Sequence, residues 1–122
     1  VKASDVGEYV TSAGGCSLAA PVVSLEEQMR GWLAAIAKER LAERQVAAYE
    51  SLASLFVFFA AFKIAPFDSR AAKQFDEFNR IRISTSDRKI AAIALVHDAL
   101  LLTANRRDFE KIPGLRFENW LD

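Results

Sequence analysis

Cysteine is nearly absent from the 122 residues: Cys16 is the only one, so no internal disulfide forms. The chain is therefore not a stapled secreted fold, and its cysteine usage fits a reducing cytoplasm. A lone Cys reads first as a small buried hydrophobe. Histidine also occurs once, at His97. Neither a zinc site nor a Ser-His-Asp triad has its parts. Glycine is scarce, with five residues, and no Gly-rich phosphate loop or dinucleotide fingerprint occurs. No apolar run reaches the roughly 18 residues of a membrane span, and mean hydropathy is only +0.07. Neither sign of charge prevails, with 16 bases against 16 acids. No global charge steers the chain toward nucleic acid or a membrane surface, so any such signal has to be local.

What is present is an ordinary globular mixture, 52% apolar and 26% charged. The length predicts one domain over residues 1–122. Residues 1–12 read as a short, weak helix broken by Ala13-Gly14-Gly15. Ser17 to Val23 reads as a buried strand, and Ser24 as the N-cap of a helix with Glu26 and Glu27 in its first turn. Leu25, Met29, Trp32, Leu33 and Ile36 make that helix's apolar face. Mixed charges from Lys38 to Arg44 mark a helix end, and a second helix follows. Its end, Leu55 to Phe62, is apolar all round, which predicts burial on every side or a face against another chain. Ile64-Ala65 is a short strand. Asp68 and Ser84-Thr85-Ser86 cap two more helices, Leu100 to Thr103 is a buried strand, and Arg116 to Glu118 is a last one. Short apolar strands separated by helices predict an α/β fold with a parallel sheet. Ligands of such sheets sit beyond the strands' carboxyl ends.

That rule selects Glu26 and Glu27 after the first strand, and Asn105 to Asp108 after the Leu100–Thr103 strand. Glu27, Asp87 and Asp108 are acids at such an edge or at a helix start. Converging carboxylates repel one another unless a cation lies between them, and hard oxygen ligands suit Mg²⁺ or Mn²⁺. Such a site activates water and stabilises displacement at phosphorus; acids at helix starts are also common caps. From Arg80 to Arg116 there are eight bases against four acids. Arg88 and Lys89 stand in a first helical turn, where the dipole disfavours cations. Phosphate contact would account for them, as for Arg106 and Arg107; a solvated charged face is the plain alternative.

The segments ISTSDRKIAAIAL (83–95), LLTANRRDF (101–109) and IPGLR (112–116), with Asn119-Trp120, resemble in order and spacing the C-terminal half of PIN-domain ribonucleases. They look most like the VapC toxins of bacterial type II toxin–antitoxin pairs. VVSLEEQMRGW (22–32) resembles the family's second motif, a strand leading into a helix that carries a Glu. The resemblance covers about residues 17–122. It implies an α/β/α sandwich that cleaves RNA, tRNA among the family's targets, with Mg²⁺ or Mn²⁺ held by acids. Carried over by position, Glu27 is the second motif's acid, four residues before Gly31. Asp87 opens the helix before Ile90, and Asn105 and Asp108 fill the polar positions after the last long strand. Thr85 and Thr103 are hydrogen-bonding support. The resemblance further implies a homodimer, and an antitoxin that covers the active-site groove.

One family feature is missing. PIN domains begin with a strand that ends in Asp and lies in the middle of the sheet. Asp5 follows Val-Lys-Ala-Ser, which is not an apolar strand, and residues 1–12 look like the tail of the helix that should come next. The domain thus reads as N-terminally incomplete, with a gap at the sheet centre or an altered strand order. Two functions follow from this: a metal-dependent endoribonuclease toxin, or a non-catalytic remnant that binds antitoxin or RNA.

Overall fold

Tyr9, Val10 and Thr11 are aromatic and β-branched residues, which favour a pleated strand. Gly7 before them weakens a helix. They form β1 (Glu8–Thr11), and this corrects the helix expected there. The structure, a computed structural model, describes residues 5–12 and 18–119. Cys16, the Ala13-Gly14-Gly15 break and Trp120 lie outside the described residues.

β2 (Leu18–Pro21) runs directly into α1 (Val22–Lys38). Pro21, in extended conformation, is the N-cap in place of the expected Ser24. Ser24 instead lies buried in the first turn, and Glu26 and Glu27 come after it. There follow α2 (Ala42–Ala60), β3 (Lys63–Ala65), α3 (Ser69–Asp76), α4 (Thr85–Val96), β4 (Leu100–Thr103), α5 (Arg106–Phe109) and β5 (Phe117–Asn119). Two caps act as the sequence indicates. The Asp68 carboxylate accepts from the Ala71 N–H at 3.0 Å, and Ser84 Oγ accepts from the Asp87 N–H at 3.1 Å.

The five strands form one sheet in the order β3-β2-β1-β4-β5. β2 pairs parallel with β3, and β4 with β5. β1 lies between the two pairs and runs antiparallel to both. The sheet is therefore mixed and not wholly parallel, and its centre holds no gap. Successive strand residues face opposite sides. Tyr9 and Ala20 pack with Leu55 and Phe59 of α2 on one side. Val10 and Leu101 pack with Ile90 to Ala94 of α4 on the other. The result is an α/β/α sandwich. Leu55, Ile90, Leu101 and Phe109 are among its fully buried side chains, each worth roughly 1.5–3 kcal/mol of transfer free energy.

The end of α2 is not buried on every side. Leu55 and Phe59 face the core, but Phe56 is 56% exposed and Val57 77%. Val46 and Tyr49 earlier in α2 are exposed too. Among the described residues no helix is long and apolar enough to cross a membrane.

Candidate active site

β2 and β4 run the same way, so Pro21 and Thr103 end on one edge of the sheet, where α1 and α5 begin. β1 runs the other way and starts on that edge: Glu8, its first residue, pairs with Thr103, the last of β4. Strand parity puts Glu8 on the same side as Val10, the side covered by α4. Asp87, in the first turn of α4, is thereby brought to the same place. A Ser-x-x-Asp start would ordinarily let the acid cap its own helix. Here Asp87 also faces outward, toward α5.

A chain of hydrogen bonds links these elements. The Thr103 hydroxyl donates to the Glu8 carboxylate at 3.3 Å. The same hydroxyl accepts from the Asn105 backbone N–H at 2.9 Å. The Asn105 side-chain amide donates to Asp108 at 2.9 Å and to Asp87 at 3.4 Å. Thr103 is fully buried, so the chain is anchored in the core. Glu27 stands across a cavity of about 260 Å³ that it lines with Glu8, Asp87, Ser24, Gln28 and Asp5.

Burial first, and neighbouring carboxylates second, raise the proton affinity of these acids. Burial pushes Glu8 up to about 7, with Asp87 and then Glu27 adding to the shift and the Thr103 hydroxyl opposing it. Burial also raises Glu27, helped by Asp87 and opposed by Arg30. Burial raises Asp87; the link to Ser84 opposes this and Asp108 adds to it. Among the described residues, Arg30 pairs with Glu26 and Lys111 with Asp108, while Glu8, Glu27 and Asp87 have no salt-bridge partner.

The four sequence-selected acidic and amide residues divide accordingly. Asp87, Asn105 and Asp108 are in direct contact, and Glu27 faces them electrostatically. Glu8 was not singled out by the sequence. Its signal is the alternation in Glu8-Tyr9-Val10-Thr11, which is short and shows its meaning only once the strand is paired. The bases divide as well. Arg106 and Arg107 are exposed at the start of α5, next to Asn105. Arg88 and Lys89 turn instead toward α3: the Arg88 guanidinium lies 5.3 Å from the Phe75 ring centre, and Lys89 Nζ 5.7 Å from that of Phe67. Arg88 also donates to Thr85 Oγ1 at 3.2 Å. Packing on aromatic faces thus accounts for two cations at a helix start. Thr103 supports the acids, while Thr85 supports Arg88.

The donors are all hard oxygens, the set suited to Mg²⁺ or Mn²⁺. Among the described residues no three acidic, His or Cys groups stand close enough to cage an ion by themselves. Mg²⁺ does not require a cage; it keeps several waters and uses one or two carboxylates with substrate phosphates. Glu27 and Asp87, whose charge adds to the raised proton affinity of Glu27, fit that mode, with Asp108 tied in through Asn105.

No curated protein sequence matches the chain significantly. Among similar solved structures is a chain of VapBC2 from Rickettsia felis bound to a DNA fragment from their promoter. It is 25% identical with a TM-score of 0.61, over 84% of this chain and 74% of that one. The PIN domain family model matches residues 18–115, which includes Glu27, Asp87, Asn105 and Asp108. The chain belongs to the PIN domain family, and its fold is of the VapC type.

Proposed function

We propose that the chain is a metal-dependent endoribonuclease toxin that cleaves RNA phosphodiester bonds, tRNA included among its candidate substrates. The observation that carries this reading is the meeting of Asp87, Asn105 and Asp108 with Glu27 at one edge of the sheet of a PIN domain. Glu27 and Asp87 hold Mg²⁺ or Mn²⁺, with Asp108 as an outer ligand. The ion, when bound, supplies Lewis acidity at phosphorus and a more acidic water. Asn105 keeps Asp87 and Asp108 apart at a fixed spacing, since its amide donates to both. Arg106 and Arg107, exposed beside this group, bind the RNA backbone.

The VapBC2 structure supports a cognate antitoxin as partner. The exposed Val46, Tyr49, Phe56 and Val57 of α2 suit a protein contact, and a homodimer is the form proposed. The place of action proposed is the cytoplasm. The second reading, a domain that binds antitoxin or RNA without cutting, is favoured by the central strand β1, whose residue at the acid edge is Glu8 and not the Asp that ends the family's first strand.

The deciding experiment is RNA cleavage by the purified chain with Mn²⁺, with EDTA, and as Asp87→Asn. Cleavage that requires both metal and Asp87 establishes the nuclease. A folded chain that binds RNA and leaves it intact establishes the second reading.

A further inference from the structure

We infer that Glu8, delivered by the reversed central strand, holds the same divalent cation through its hydration shell, and that the Ser24 hydroxyl binds that shell too. This rests on the metal-site reading above and adds two residues, Glu8 outside every motif and Ser24 within the second.

The first support is topological. A strand parallel to its neighbours presents its last residue to the acid edge, whereas a reversed strand presents its first. Glu8 is the first residue of β1 and stands opposite Thr103, the last of β4. The direction of β1 thus decides that a carboxylate, and not Thr11, reaches Glu27 and Asp87. The Thr103 hydroxyl takes up one Glu8 oxygen, Oε2, at 3.3 Å. That bond does not engage the carboxylate's second oxygen, Oε1.

The second support is independent of the acids. Ser24 is only 3% exposed, and its Oγ has no hydrogen-bond partner among the described residues. It lines the same cavity as Glu8, Glu27 and Asp87. A buried hydroxyl left without a partner is costly, so it takes one from water or from a ligand's shell. At about 260 Å³ the cavity has room for an ion together with several waters, each of which takes up roughly 30 Å³.

The third support is charge. Glu8, Glu27 and Asp87 have no salt-bridge partner among the described residues. Glu8 is 8% exposed, so an ionised form needs compensation from a proton or a cation. A divalent ion bound to two of these carboxylates, and to Glu8 through its waters, supplies it.

The test is Mn²⁺ binding to the full chain by calorimetry, for the wild type, Glu8→Gln, Ser24→Ala and the exposed control Glu50→Gln. The expected result is a Kd at least tenfold higher for Glu8→Gln, severalfold higher for Ser24→Ala and unchanged for Glu50→Gln. Mn²⁺ broadening of amide resonances in the wild type needs no variant. Gly7 to Tyr9 and Ser24 should broaden together with Asp87, while Val57 stays sharp. Wild-type affinity in a folded Glu8→Gln chain, or sharp Gly7 to Tyr9 resonances beside a broadened Asp87, overturns the role of Glu8. Either result leaves the nuclease reading standing. A wild-type chain that binds no Mn²⁺ overturns both, and RNA cleavage with and without EDTA then shows whether any nuclease reading survives.

Discussion

The hydroxyl of Thr103 donates to the carboxylate of Glu8 across 95 residues of sequence, at 3.3 Å and in a fully buried position. It also accepts from the Asn105 N–H, so one side chain joins the central strand to the loop that carries Asn105. Replacing it by Val keeps the shape and removes both bonds. Thr103→Val should lose about 1–3 kcal/mol of stability, the cost of leaving buried polar groups unpaired. Urea unfolding of the two proteins checks this; equal midpoints and slopes would show that the link contributes nothing.

The raised carboxyl groups make stability fall with rising pH. Glu8 binds its proton more tightly in the fold than in the unfolded chain, with its pKa pushed from 4.5 to about 7. Its favourable contribution is full below pH 4.5 and is lost as pH rises through about 7. At 1.36 kcal/mol per unit the loss is on the order of 3 kcal/mol. Glu27 and Asp87 shift in the same direction. With EDTA present, the chain should resist urea better at pH 5 than at pH 8. Glu8→Gln should flatten that slope. A profile rising over this range would contradict the raising of these acids by burial and neighbouring charge.

Asp87→Asn should lower RNA cleavage by about a hundredfold or more, because the change removes a ligand together with its charge. The same change removes a repelling neighbour of Glu8 and Glu27, so the metal-free protein should melt at a higher temperature. Higher stability with lower activity separates a functional acid from a structural one. A variant that both melts earlier and cuts less would point to a purely structural Asp87.

Arg106 and Arg107 differ from Arg88 in what they touch. Replacing the first two by Ala should weaken RNA binding and reduce the slope of log affinity against log salt by about 0.7 for each phosphate that is no longer neutralised. Arg88→Ala should leave that slope unchanged and destabilise the fold, because it removes the stacking on Phe75 and the bond to Thr85. Filter binding over a salt series, with thermal melts of the same proteins, distinguishes the two roles.

Gly31 lies within α1 with open space where a Cβ would stand. Gly31→Ala should stabilise the chain by about 0.5–1 kcal/mol through the lower entropy of the unfolded state. The cavity beside it, lined by Glu27 and Trp32, would narrow. Thermal unfolding reads the first effect and RNA affinity the second.

Local patterns were legible wherever a short stretch decides its own conformation. Asp68 and Ser84 cap their helices because a side-chain oxygen three residues back satisfies a free N–H. Leu100 to Thr103 is a strand bounded by turns, and Asn105 and Asp108 meet because they stand three residues apart. Asp87, Asn105 and Asp108, all indicated by the sequence, are in contact, while Glu27 shares a cavity with Asp87. α1 starts before the position that the sequence indicates because the chain turns straight from strand to helix at Pro21, ahead of the residue best suited to cap.

Sequence by itself determined the α/β class, the caps at Asp68 and Ser84, and the PIN family. Only the tertiary structure decided the direction of the central strand. Four residues from Glu8 to Thr11 carry too little pattern to choose a helix or a strand, or either direction. The choice is made by hydrogen bonds to β2 and β4 and by the burial of Tyr9 and Val10 on opposite faces. The turning of Arg88 and Lys89 onto the rings of Phe75 and Phe67 was decided the same way. So was the exposure of Phe56 and Val57, since a helix apolar on every side buries only the side its neighbours cover.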